Sequence, residues 1–189
     1  MNRLLSLLLV VLLVSACGST PEQYTELEHR VVNAVDSQSV LLQVDYGEVT
    51  ILESEDARVI VEGKVLFDDE LEYQVESAEG QILIKVFAHR DRSSTIPLQI
   101  VLRLPAQMQV KIETDNASVF VQAYHGDVEV SSTSGNISVE QMTGRLTLRS
   151  NRGNITVRES SGIVGIAGNY GALTMENVRG EISAKSGPS

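Results

Sequence analysis

An all-β chain folded as a single-domain β-solenoid is what this sequence predicts, and three observations predict it. Glycine falls at every ninth position of the C-terminal third, at Gly126, Gly135, Gly144, Gly153, Gly162, Gly171 and Gly180, with no insertion or deletion between them. Each glycine is followed by a short segment with apolar residues at its second and fourth offsets, such as Val128 and Val130, Ile137 and Val139, Leu146 and Leu148, and Ile155 and Val157. Strict alternation places those residues on one face of a strand. Finally, alternate units differ after the strand. Ser132, Ser150 and Gly168 follow one set of glycines, and Met142, Ser160 and Val178 follow the other, so the structural period is two units, or eighteen residues carrying two strands. One such unit cannot bury its own apolar face, but stacked copies form a continuous core.

The N-terminus stands apart from that scheme. Met1-Asn2-Arg3 is a short basic start, Leu4 to Val14 is almost wholly apolar, and Val14-Ser15-Ala16-Cys17 follows directly. The apolar run is shorter than the roughly 20 residues that span a bilayer. It reads as a cleaved leader over residues 1–16. Val14-Ser15-Ala16-Cys17 resembles the lipobox of bacterial lipoproteins. That resemblance implies a diacylglyceryl group on Cys17, cleavage before it, and an acyl chain such as palmitate on the new amino terminus. Gly18, where an aspartate would resemble an inner-membrane retention signal, implies the outer membrane in a Gram-negative host. Cys17 is the sole cysteine, so no intramolecular disulfide forms. Residues 17–37 read as the lipidated cysteine and tether, with a helix expected over Glu22 to Val35.

Residues 38–107 read as a less regular β-rich part of the solenoid. Val40 to Val44 and Tyr46 to Ile51 are expected strands around a glycine turn at Gly47. Val59 to Val65, Leu71 to Val75, Ile82 to Val86 and Pro97 to Leu104 are further strands, interrupted by polar loops at Phe67 to Glu70 and His89 to Thr95. Pro105-Ala106 marks entry into the regular array over residues 108–189. The array starts before its glycines do, because Met108, Val110 and Ile112, then Ala117, Val119 and Val121, keep the same spacing.

Residues eighteen apart should lie side by side, about 4.8 Å apart. Glu140, Arg158 and Glu176 then form a column of alternating sign, Asp127 meets Arg145, and Ser138, Thr156 and Thr174 make a hydroxyl column. Such neighbours each stabilise a ladder by up to about 1 kcal/mol.

The run Tyr46-Gly47-Glu48-Val49-Thr50-Ile51, the junction Val101-Leu102-Arg103-Leu104-Pro105-Ala106, the segment Val110 to Asp115 and the glycine-headed strands together resemble the bacterial DUF4097 "putative adhesin" β-solenoid family. The resemblance covers Val40 to the C-terminus. It implies a β-helical envelope protein and brings no catalytic residues. Ala117 departs from it by standing where glycine is usual.

Composition narrows the chemistry. The chain carries 25 acidic and 15 basic residues, and loss of Arg3 with the leader takes the formal charge from −10 to −11. That surface repels phosphate backbones and anionic headgroups, so no nucleic-acid partner is expected. Trp is absent and aromatics are scarce, which disfavours an aromatic sugar platform. Calcium-binding nine-residue repeats need repeated aspartates, whereas the interior positions here are Ile137-Ser138-Val139 and Ile155-Thr156-Val157. Asp115-Asn116 and Asp68-Asp69-Glu70 read as acidic solvated loops, and His29, His89 and His125 share no ligand spacing, so neither metal nor cofactor is expected. A glycan-processing site would draw on Arg145, Arg149, Arg152 and Arg158, but a surface ion-pair role fits them better. The sequons at Asn116, Asn136 and Asn154 follow from the repeat itself, Asn suiting the turn and Ser or Thr the exposed strand. No catalytic residue is assigned and no enzyme is expected. The expectation is a lipid-anchored, non-enzymatic envelope protein, adhesin-like or scaffolding. Its partners would be the membrane through Cys17 and an envelope protein or glycan. A self-assembling scaffold that polymerises end to end through the last coil, and an envelope glycan-processing enzyme, are the alternatives.

Overall fold

The computed structural model describes residues 24–65, 71–88 and 98–187. The leader, Cys17 and the expected loops at Phe67 to Glu70 and His89 to Thr95 lie outside them. The fold is all-β, with no helix among the described residues and fifteen strands joined in one sheet. The strands are β1 (Thr25–Glu26), β2 (Arg30–Asn33), β3 (Ser39–Ser54), β4 (Arg58–Val65), β5 (Leu71–Ala78), β6 (Gln81–Ala88), β7 (Leu98–Pro105), β8 (Gln109–Gln122), β9 (Val128–Ser132), β10 (Ile137–Glu140), β11 (Thr143–Ser150), β12 (Ile155–Arg158), β13 (Ser161–Gly168), β14 (Leu173–Glu176) and β15 (Arg179–Ser186).

From β8 onward the pairing is parallel and advances by eighteen residues. Val110 pairs with Val128, Val128 with Leu146, Leu146 with Val164, and Val164 with Ile182. A second column runs from Val119 to Ile137, Ile155 and Leu173. β8 is long enough to start both columns, through its N-terminal half to β9 and its C-terminal half to β10. The inward residues of both columns, among them Val130, Val139, Leu148 and Val157, are wholly buried in one continuous core.

On its other edge β8 pairs in parallel with β3, seventy residues upstream, with Val40 opposite Val110 and Val49 opposite Val119. β3 therefore occupies one more layer of both columns, and the chain leaves that stack at Ser54 and re-enters it near Gln109. β6 and β7 together form the layer beyond, each parallel to one half of β3. Antiparallel strands cover that layer: β5 pairs with β6, β4 with β7, and β1 and β2 with β4.

Three expectations change. The segment expected to be helical forms β1 and β2 instead, because pairing with β4 outweighs local preference. Leu27 donates its backbone N–H to the Gly63 carbonyl at 2.8 Å, and its side chain fills the space a Cβ on Gly63 would need. The two strands expected around Gly47 are one strand, since Gly47 takes a φ of +112° and redirects β3 without ending its ladder. The Asp127 carboxylate accepts the backbone N–H of Arg145 at 3.2 Å rather than its guanidinium.

The ninefold glycines serve two purposes. Gly162, inside β13, has a φ of +130°, a left-handed conformation that side chains disfavour. Gly153 has no such φ, but a Cβ there would lie 1.9 Å from the Gly135 carbonyl oxygen in the layer before. Close approach holds at both corners, since a Cβ on Gly162 would likewise lie 2.0 Å from the Gly144 carbonyl oxygen, whereas the left-handed φ recurs only at Gly144, Gly162 and Gly180, every eighteen residues. Hydroxyls complete the second corner: the Ser132 and Ser150 Oγ atoms accept the N–H of Gly135 and Gly153 at 2.8 Å. Thr114 does the same for Ala117 at 2.8 Å. Ala117 is tolerated because its corner is an unbroken part of β8 packed on Gly47.

Where the excursion rejoins the stack, the buried Tyr124 hydroxyl donates to the Met108 carbonyl at 2.7 Å. The Glu53 carboxylate accepts both the backbone N–H and the Nδ1–H of the adjacent His125, at 2.9 and 2.8 Å.

Ser150→Ala removes the sole side-chain acceptor bonded to the buried Gly153 N–H and should destabilise the fold by about 1–3 kcal/mol in denaturant titration. Burial pushes the Tyr124 phenol far above its ordinary value. The stability this contributes is complete below the unfolded tyrosine value of about 10 and is lost as pH rises beyond it. Wild type should therefore lose stability above that pH more steeply than Tyr124→Phe, by up to about 1.4 kcal/mol per pH unit.

Candidate functional site

Parallel stacking at a fixed register turns each outward position into a column. The columns at the corner that follows β9, β11 and β13 line an open groove of about 610 Å³. Its floor is built from Gln43 of β3, Glu113 of β8, Ser131 of β9, Arg149 of β11 and Ala167 of β13, successive members of one ladder. Its rim is Asp45, Asp115, Thr133, Asn151 and Asn169, with Phe87 beside the β3 end. The rim is held by backbone bonds between layers. Ser134 and Arg152 donate to the carbonyls of Asp115 and Thr133 at 2.8 and 3.0 Å, and Tyr170 donates to that of Asn151 at 2.9 Å.

The side chains along this corner bond to one another as well. The Asn169 amide donates to the Asn151 side-chain oxygen at 3.0 Å, and the Thr133 hydroxyl reaches the Asp115 carboxylate at 3.5 Å. Glu113 accepts from Gln43 at 2.8 Å and pairs with Lys111 at 2.7 Å. The hydrogen bond from Lys111, then that from Gln43, holds the Glu113 carboxyl below its usual range, and the same contact raises Lys111. Arg149 is drawn to Glu129 at 2.8 Å. The groove thus carries carboxylates toward β3 and hydroxyls and amides toward β13, at a spacing of about 4.8 Å. Such a line of fixed donors and acceptors can hold an extended polar ligand.

The arginines singled out in the sequence do not gather. Arg145 and Arg149 share β11, while Arg158 lies in the other column on β12, where its Nε donates to Glu176 at 2.8 Å. Ser138, Thr156 and Thr174 do stand in register. Asn136 and Asn154 use their side-chain oxygens to accept the backbone N–H of Asn154 and Ala172, each at 2.9 Å, which ties the sequon asparagines into the stack. His29 and His125 are far apart in the fold's pairing scheme, at β1–β4 and at the β8 corner respectively, and His89 lies outside the described residues. Of the residues that carry the groove, the sequence marks Asp115 only as part of an acidic loop, and Thr133, Asn151 and Asn169 stand next to the aligned corner positions without being singled out. Their spacing of eighteen was there to be found once the intervening corners are aligned too.

Against known structures, the chain is similar to a "putative cell adhesion protein" from Clostridium sporogenes, at 10% identity and a TM-score of 0.59, covering 83% of this chain and 100% of that one. A weaker likeness is to a "putative adhesin" from Parabacteroides distasonis, at 14% identity and a TM-score of 0.39, over 88% of this chain and 79% of that one. The first likeness shows a shared fold. No protein-family model and no curated protein matches the chain.

The Glu113 carboxyl should titrate below the ordinary glutamate range when followed by carbon-13 NMR. In Lys111→Met its midpoint should move up toward that range. The sign follows from the depressed value: the stability Glu113 contributes is present above the unfolded midpoint and lost as pH falls through the folded one.

Proposed function

We propose that this chain is a non-enzymatic, lipid-anchored protein of the bacterial cell envelope, a β-solenoid of the DUF4097 adhesin kind that binds an extended polar ligand, such as an envelope glycan or protein segment, along its corner groove. The observation that carries the reading is the column Asp115, Thr133, Asn151 and Asn169, which presents hydrogen-bonding groups at the same point of every layer. Repetition of this sort favours multivalent contact along a rigid edge, where many weak contacts add without chemistry. The fold shared with a structure described as a "putative cell adhesion protein" supports it, as does the lipobox-like Val14-Ser15-Ala16-Cys17. Lipid on Cys17 would hold the domain at the membrane, the outer one in a Gram-negative host, and the acidic surface disfavours nucleic acid.

Asn151→Ala with Asn169→Ala should lower adherence of cells displaying the chain by several-fold without changing its melting temperature. Adherence equal to wild type would remove the groove from the reading. Cys17→Ser should move the protein from the membrane fraction to the soluble fraction, and persistent membrane association would remove the lipid anchor.

A further inference from the structure

We infer that the chain pairs tail to tail with a second copy of itself through the outer edge of β15, in a geometry that joins two membranes. The dimer stands on the strand edge alone; its bridging of two membranes rests on the lipid anchor proposed above.

β15 ends the path of the sheet, and no described residue pairs with its outer edge. All eight of its residues are exposed, and the apolar positions that would be core in any earlier layer are open: Ile182 is 42% exposed and Met175, in β14, 39%. Unpaired backbone groups beside exposed apolar side chains form a template for a further strand. At the opposite end, β5 and β4 already occupy the outer edges of β6 and β7, in antiparallel sense. A head-to-tail stack therefore cannot continue the parallel ladder there, whereas two β15 edges can meet each other.

Two copies that meet at the same edge are related by a two-fold axis, as in most homodimers. With that axis perpendicular to the sheet, the two β15 strands run antiparallel and inward residues stay inward. The outward residues Glu181, Ser183 and Lys185 follow the Ile163, Gly165 and Ala167 positions of β13. Centring the pair on Ser183 sets Glu181 opposite the partner's Lys185 and Lys185 opposite the partner's Glu181. Ile182 then meets the partner's Ala184 on the inner face. Centring on Ile182 would oppose Arg179 to the partner's Lys185, and centring on Glu181 would oppose two carboxylates. A shift that brings inward against outward residues would break the match of faces. The strand is self-complementary in one full-length register, and opposite charges directly across a ladder favour it.

β1 lies at the other end of the sheet path from β15, so the tether that precedes Thr25 leaves the domain far from this edge. In the pair the two tethers therefore emerge at opposite ends. Chains held at their N-termini reach each other from facing membranes.

Sedimentation of the full chain in mild detergent should show a concentration-dependent dimer. Glu181→Lys should weaken it more than about tenfold, and Glu181→Lys with Lys185→Glu should restore it, with unchanged melting temperatures throughout. The sole cysteine, Cys17, allows coupling to maleimide-lipid vesicles. Vesicles bearing wild type should cluster, followed by light scattering. Vesicles bearing Glu181→Lys alone or Lys185→Glu alone should not cluster, but the two populations mixed should. A wild-type chain that remains monomeric, or a dimer indifferent to Glu181→Lys, overturns the pairing. A charge-dependent dimer without vesicle clustering overturns the bridging geometry. Because coupling through maleimide supplies the anchor, neither outcome depends on whether Cys17 is lipidated in the cell.

Discussion

The interval of eighteen residues between paired strands is the constraint on which the rest depends. Parallel ladders leave no freedom once the first pair is in register, because a slip of one residue would turn the whole apolar set outward. The corners enforce the interval more strictly than the strands do. At Gly153 the carbonyl of the glycine eighteen residues earlier occupies the volume a Cβ would fill, and the Ser150 hydroxyl saturates the buried N–H. Strand and corner thus demand the same spacing for different reasons, one from burial and one from close backbone approach. Consistency of that kind gives a single register a clear energetic advantage.

The same constraint explains why the two ends of the sheet differ. β3 joins the stack in register although seventy residues of chain separate Val40 from Val110, since loop closure grows only slowly more costly with length while each added layer buries a full set of side chains. The excursion between them returns as β6 and β7 to make the outer layer and as β4 and β5 to cover it. Tyr124 and the Glu53–His125 contact fasten the point of re-entry. At the other end, β14 and β15 repeat the pattern of earlier layers but no described residue covers them, and positions that are core in earlier layers are exposed. One end of the parallel ladder carries antiparallel strands, and the other carries no further strand among the described residues.

Outward positions inherit order from the stack without contributing much to it. Exposed pairs such as Arg158–Glu176 and Arg149–Glu129 lie half in solvent, where ion pairs typically contribute 0–1 kcal/mol. Their value is positional. A corner that repeats a hydroxyl, an amide and a carboxylate at fixed spacing is a template for an extended ligand, and it costs nothing to pre-organise because the backbone beneath is already fixed.

Ile137, Ile155 and Leu173 could be aligned, and their inward direction read, from sequence alone, because a periodic backbone repeats its contacts wherever it repeats its spacing. The start of the array near Met108 was legible for the same reason. The segment before β3 was not: Glu22 to Val35 has local character compatible with a helix, and only the free edge of β4 and the gap beside Gly63 make it two strands. The groove was half legible, since Asp115, Thr133, Asn151 and Asn169 keep the interval but lie in corners whose side-chain direction no alternation rule predicts. That β3 belongs to the stack, that antiparallel strands cover one end, and that a left-handed φ falls on Gly144, Gly162 and Gly180 but not on Gly153 were decided in three dimensions. Each depends on which distant backbone lies alongside, and local periodicity carries no information about that neighbour.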